Sequence, residues 1–331
     1  MSKKYTGFIV ALTFLMLVVG IYFLDGPDAI KNVISNVNII TIRTVIVMMI
    51  IYWLMQTLIT KEIANNVGQN LSFRQALKTF MIGEFFSAIT PLATGGQPMQ
   101  VIYLNKKGIT SGRATSILGI QLFFYHIGRM IMTLILTFFF ASFFYTGGHP
   151  FTVFIVVGIL INMGLAIFML IAAYRPEKLL KFSTAIVNFL ARIKLVKNKD
   201  KMIRRLQEEV SMFYNSIKDF RGQEFKVYII LILQNIISFV FYYGVSYFVF
   251  LSFDVKIDSF LLCVAAQTTI ALVSAYIPMP GGSVGAEGIF YLIYSQIVPE
   301  GAPILMAILL WRLISYYFTI IASFPFTLNL K

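Results

Sequence analysis

Uninterrupted apolar stretches decide the fold class of this chain before any other property does. Residues 8–24 and 151–173 each reach or approach the ~20 apolar residues that cross a hydrocarbon core of ~30 Å. Hydrophobic residues make up 58% of the sequence and charged ones 12%, about half the charged share of a soluble domain. A soluble globule is therefore excluded, and the pattern predicts an all-α polytopic membrane protein. Full spans are expected at 5–24, 39–60, 114–144, 151–173, 227–251 and 304–326. The first follows Lys3 and Lys4 but has no small-x-small cleavage pattern behind it, so it reads as a retained helix and not as a signal peptide. With one cysteine, Cys263, and two histidines, His126 and His149, the chain offers neither a disulfide framework nor a metal cluster. No metal and no cofactor is expected.

A net charge of +13 reports orientation first in such a chain. If alternate connections lie on opposite sides, one side collects 22 of the 27 basic residues, 13 of them within 174–226. The positive-inside rule then puts both termini in the cytoplasm and the protein in the cytoplasmic (inner) membrane of the cell. Residues 174–226 contain two amphipathic patterns, one through Leu179, Phe182, Ile186, Leu190 and Ile193, the other through Ile203, Leu206, Val210, Phe213, Ile217 and Phe220. They predict a cytoplasmic helical connector inside a single domain, 1–331. It packs on the cytoplasmic ends of the bundle or is held by Arg192, Lys194, Lys197, Lys199, Lys201, Arg204 and Arg205 against anionic headgroups.

Two segments are apolar but broken. Residues 79–104 are flanked by Lys78 on one side and Lys106 and Lys107 on the other, which puts both ends in the cytoplasm. As helices, limbs 79–90 and 97–104 would measure ~18 and ~12 Å, too short to span. Pro91, Gly95, Gly96 and Pro98 break the middle, so a re-entrant hairpin follows. Residues 260–297 repeat the design with Pro278, Pro280, Gly281 and Gly282, then a short helix from about Ala286; the flanking Asp254, Asp258 and Glu300 have it enter from outside. The next span in each case carries an arginine, 33 residues after Gly96 at Arg129 and 30 after Gly282 at Arg312. This pattern predicts an internal repeat of inverted topology, in which transporters hold their site near the midplane.

The run Pro91-Leu92-Ala93-Thr94-Gly95-Gly96-Gln97-Pro98, followed by Pro278-Met279-Pro280-Gly281-Gly282-Ser283-Val284-Gly285-Ala286-Glu287, resembles the two signature loops of the flippase-like membrane region of the multiple peptide resistance factors, a family labelled lysylphosphatidylglycerol synthase transmembrane region. The similarity covers nearly the whole chain. It implies movement of an anionic or aminoacylated phospholipid from the inner to the outer leaflet, with a role in resistance to cationic antimicrobial peptides. Full-length relatives carry a soluble acyltransferase domain. None is expected within these residues, so a transporter is expected and not an enzyme. A position after the first loop that is often charged in the family is Gln100 here.

Charged groups at bilayer depth cost at least ~2.5–3.5 kcal/mol each, so Glu84, Glu287, Arg129 and Arg312 need partners. A guanidinium grips a phosphodiester through two parallel hydrogen bonds. Helices opening near Gln97 and Gly285 add N–H groups and a partial positive charge. The candidate substrate site is therefore Arg129, Arg312, Glu287, Glu84, Gly95, Gly96, Gln97, Gly281, Gly282 and Ser283, with no catalytic residue among them. Glu84 and Glu287 either accept the ammonium of a cationic headgroup or pair with the arginines. His126 reads as a packing residue; Gln121, Asn162, Gln234, Asn235 and Gln267 read as interhelical hydrogen-bonding groups. The many Phe and Tyr residues, Phe138 to Phe140 included, read as lipid-facing or interfacial bulk. The expected partners are a phospholipid and the membrane, with no nucleic acid; a homo-oligomer stays open. Two other classes remain: a membrane-embedded phosphatidylglycerol lysyltransferase, and an ion-coupled exporter of a small metabolite.

Overall fold

A computed structural model of the chain describes residues 38–145, 151–192, 199–274, 277, 280–282, 285–328 and 330. The span expected at 5–24 lies outside them, as do His149 and Ser283. Helix α1 covers Ile39–Asn66 and opens on Asn38, whose side chain accepts a hydrogen bond from the Ile40 N–H at 2.9 Å. It runs past residue 60 to include Lys61 and Glu62. Helix α2, Phe73–Ala88, starts earlier than the apolar limb because Ser72 and Gln75 form a reciprocal capping box. A turn at Pro91–Ala93 leads into α3, Gly96–Lys106, and then α4, Ser111–Phe139. The span expected at 114–144 closes at Phe139, and the short α5, Ala141–Tyr145, follows separately. Then come α6, Phe151–Tyr174, the connector helices α7, Pro176–Arg192, and α8, Lys199–Arg221, and α9, Phe225–Leu251. Helix α10, Phe260–Ser274, a turn at Pro280–Gly282 and α11, Gly285–Tyr294, form the second broken segment. Helix α12, Ile304–Arg312, continues through a π-helical turn, Leu313–Tyr317, into α13, Phe318–Thr327.

There is no strand among the described residues, and five helical stretches are long and apolar enough to cross a membrane: Ile39–Asn66, Ser111–Phe139, Ile155–Tyr174, Phe225–Leu251 and Ile304–Thr327. The chain is a multi-pass membrane protein. Its outward face is apolar, with Phe138 and Phe139 largely exposed, as expected of side chains that meet lipid.

Helices α1 and α9 pack along one another. Gln56 donates from Nε2 to Asn235 Oδ1 (3.2 Å) and Ser238 Oγ (2.9 Å), and Gln234 Nε2 donates to Glu62 Oε2 (2.9 Å). Such interhelical bonds contribute about 0.6 kcal/mol each inside a membrane, so they fix register more than they add stability. The connector docks on the bundle through α8, which lies against the start of α4. Gly112 makes this approach possible: its N–H donates to Glu209 Oε2 at 2.5 Å, and a Cβ there would sit 2.2 Å from the Glu209 carbonyl oxygen.

Each broken segment folds as a helical hairpin. Helices α2 and α3 pack together, as do α10 and α11, and the turn of one hairpin touches the turn of the other. In the first hairpin Gln100 is buried and donates from Nε2 to the Thr79 carbonyl (3.0 Å), so it ties limb to limb. Close approach needs Gly96, where a Cβ would lie 2.1 Å from Ser87 Oγ and 2.8 Å from the Gly83 carbonyl oxygen.

Candidate functional site

The site is built where the two hairpin turns meet. In the first, Leu92 and Ala93 have φ of 53° and 54°; in the second, Gly281 and Gly282 have φ of 64° and 62°. Each left-handed pair directly follows a proline, Pro91 or Pro280. The structural counterpart of Gly281–Gly282 is therefore Leu92–Ala93, and the glycine pair Gly95–Gly96 that the spacing matched to it does another job. Gly95 donates its N–H to Thr90 Oγ1 (2.8 Å), and Gly96 opens α3. Left-handed backbone costs a non-glycine residue about 1–3 kcal/mol and persists only where surrounding contacts impose it.

Contacts from the last span hold the second turn. Arg312 is buried at the end of α12, just before the π-helical turn. Its Nη1 donates to the Gly281 carbonyl (3.0 Å), and its Nε lies 2.7 Å from Glu287 Oε1. The rings of Trp311 and Tyr316 lie 4.7 and 5.7 Å from the guanidinium carbon. Tyr316 also donates its hydroxyl to the carbonyl of Ala88 at the end of α2 (2.8 Å), so one side chain links the first hairpin, the second turn and Arg312. Arg312 Nη2 and Glu287 Oε2 keep hydrogen-bonding capacity unused among the described residues. Gly281 sits so close to Tyr316 that a Cβ would come within 2.4 Å of its ring. Gly281→Ala should therefore destabilise the fold by about 1–3 kcal/mol through the combined clash and left-handed strain. Thermal unfolding in detergent checks this, with Gly288→Ala, whose Cβ meets open space, as the unaffected control.

Arg129 is buried on α4 and is held differently. Its Nη2 donates to Asn162 Oδ1 on α6 (2.8 Å) and lies 3.1 Å from His126 Nδ1, which is itself 2.8 Å from the same Asn162 oxygen. Asn162 is fixed in turn by donating to the Gly158 carbonyl (2.7 Å). His126 thus belongs to a polar cluster linking α4 and α6. The expected alternative of two arginine–glutamate pairs holds for Arg312 with Glu287 and not for Arg129 with Glu84. The Glu84 carboxylate, half-buried on α2, makes no hydrogen bond and no ion pair with the described residues.

Tyr52, Tyr242 and Tyr243 lie in a row between α1 and α9, and Tyr125 on α4 joins them through Phe239. Tyr52 and Tyr242 rings lie 4.7 Å apart, Tyr242 and Tyr243 5.3 Å, and Arg129 sits 5.4 Å over the Tyr125 ring. Arg129 therefore borders this tyrosine cluster. These tyrosines are buried or half-buried inside the bundle, which corrects their reading as lipid-facing or interfacial bulk. The signal was present in the sequence: all four sit mid-span, away from the helix ends where interfacial tyrosine collects.

Among the remaining candidates, Gln97 is half-buried in the first turn of α3, and Ser283 lies outside the described residues. Residues 7–323 match the family described as lysylphosphatidylglycerol synthase TM region. The chain belongs to this family. A UPF0104 membrane protein of Archaeoglobus fulgidus (strain ATCC 49558 / DSM 4304 / JCM 9628 / NBRC 100126 / VC-16) is 24% identical over 304 residues, covering 86% of this chain and 85% of that protein. Membership in the lysylphosphatidylglycerol synthase TM-region family places the chain among membrane proteins of lipid metabolism or transport. The turns at Pro91–Ala93 and Pro280–Gly282, which lie in the two proline- and glycine-rich runs of the sequence, are the two turns that touch. Chemically the region offers guanidinium N–H groups for an oxyanion and one carboxylate for a cation.

Proposed function

We propose that the protein is a lipid flippase. It moves an anionic or aminoacylated phospholipid, of the lysylphosphatidylglycerol kind, between the leaflets of the bacterial cell membrane, and in doing so contributes to resistance against cationic antimicrobial peptides. The observation that carries this reading is the meeting of both broken segments' turns, beside which buried Arg312 pairs with Glu287, in a bundle that also buries Arg129 on α4 and carries Glu84 on α2 with no ion pair among the described residues. An intramembrane charge without a partner is costly, and its retention marks a substrate path. The headgroup passes the junction with its phosphate on guanidinium groups and its ammonium on Glu84, while the acyl chains stay in the bilayer. The two hairpins enter from opposite sides as halves of an inverted repeat, in a fold of six full spans with cytoplasmic termini, and rocking of the halves alternates access.

Two experiments bear on this. Liposomes containing the protein should pass a labelled anionic phospholipid between leaflets faster than empty ones; equal rates would overturn the function. In a Cys263→Ala background, cysteines introduced at Thr94 and at Ser283 should react with impermeant reagents from opposite sides of the membrane. Labelling of both from one side would remove the inverted repeat and with it the rocking mechanism.

A further inference from the structure

Away from the junction, α4, α6, α8 and α9 enclose a cavity of about 320 Å³, within the range of small-ligand sites. Its walls include Gly119, Phe123, Phe168, Phe213 and Tyr228, and Arg221 is the one charged residue that lines it. Gly119 keeps the floor open: a Cβ there would meet only the Phe213 ring, at 3.9 Å. A ligand that fills such a space is hydrocarbon.

The rim carries the opposite chemistry. Tyr174, where the α6 span ends, lies across from Arg221, four residues before the α9 span begins. The rim thus stands at the level where apolar helix gives way to polar chain, the level of lipid headgroups. The Arg221 guanidinium is held 4.0 Å over the Tyr174 ring and makes no ion pair with the described residues. Arg175, Lys178, Lys218 and Lys226 lie close by in sequence, against Glu177, Asp219 and Glu224; Glu177 is 3.8 Å from Arg175. Tyr228 spends its hydroxyl on the Phe220 carbonyl (3.1 Å), so the Tyr174 hydroxyl and Arg221 are left as polar groups for a ligand, and of the two only Arg221 is charged.

We propose that this cavity is a binding site for an anionic phospholipid of the same leaflet, with one acyl chain between α4 and α8 and the phosphate on Arg221. The site is separate from the hairpin junction and does not depend on translocation. It gives the connector a specific task, since α8 supplies both the Phe213 wall and the Arg221 rim.

The test is native mass spectrometry of the delipidated full chain titrated with phosphatidylglycerol or phosphatidylcholine of matched acyl chains. The parent should bind one phosphatidylglycerol about tenfold more tightly than phosphatidylcholine, the worth of one charge-assisted contact. Arg221→Gln should erase that preference, Arg221→Lys should keep part of it, and Gly119→Leu should weaken both lipids by filling the cavity. Lys256→Gln, at the other end of α9, should change nothing. Equal binding of the two lipids by the parent, or a preference that survives Arg221→Gln, would show a non-selective lipid annulus and overturn the proposal. If Gly119→Leu fails to fold, as judged by thermal melting, the Arg221 pair decides alone.

Discussion

Arg312→Met should cost about 3–5 kcal/mol of stability, because it strands Glu287, whose side chain is only 22% exposed, without its 2.7 Å partner. The same variant frees the Gly281 carbonyl that Nη1 holds, and so loosens the second turn where it meets the first. Arg312→Met combined with Glu287→Gln should recover all but about 1–2 kcal/mol, the remainder being the unsatisfied Gly281 carbonyl and lost stacking on Trp311 and Tyr316. Thermal or chaotrope unfolding in detergent measures both. A double variant as unstable as the single one would mean that the ion pair is not what holds this corner.

Glu84→Gln should behave in the opposite way. No described hydrogen bond or ion pair is lost and a costly partnerless intramembrane charge is removed, so stability should stay the same or rise. Translocation of a lipid bearing an ammonium should nevertheless fall about tenfold or more, since one charge-assisted contact is worth at least that factor. Phosphatidylglycerol, which has no ammonium, should be much less affected. A matched fall for both lipids would assign Glu84 to something other than the headgroup amine; an unchanged rate for the ammonium lipid would remove it from the site.

The sequence makes much of the architecture readable because membrane helices must be long and apolar, and because basic residues mark one side. Five of the six expected spans, the two broken segments and the two amphipathic helices of 174–226 stand among the described residues where that reading puts them. Helix starts are less readable: α2 begins at a capping box outside its apolar limb, and α4 ends at Phe139 where hydropathy continues into α5. Matching glycine with glycine also misleads, because φ is set by position in the turn, and Leu92 and Ala93 adopt the left-handed conformation without being glycine. Which acid pairs with which arginine depends on the placement of distant helices. The cost of charge at bilayer depth says that Glu84 and Glu287 need partners, yet only tertiary packing gives Arg312 to Glu287 and Arg129 to Asn162. The role of Tyr316 is hidden for the same reason, since it meets Ala88, Gly281 and Arg312 from three parts of the chain.

The account stands on Arg312 at the hairpin junction and Arg129 on α4 acting on a lipid phosphate, and the rate at which a labelled anionic phospholipid crosses reconstituted liposomes tests that most directly. Arg129→Lys and Arg312→Lys keep the charge but lose the bidentate fork, so both should fold and yet move lipid at least about tenfold more slowly than the parent. The neutral pair Arg312→Met with Glu287→Gln, once shown to be folded, should be equally slow. Folded lysine variants and a folded neutral pair that translocate at the parent rate would contradict the account and leave these arginines as structural residues.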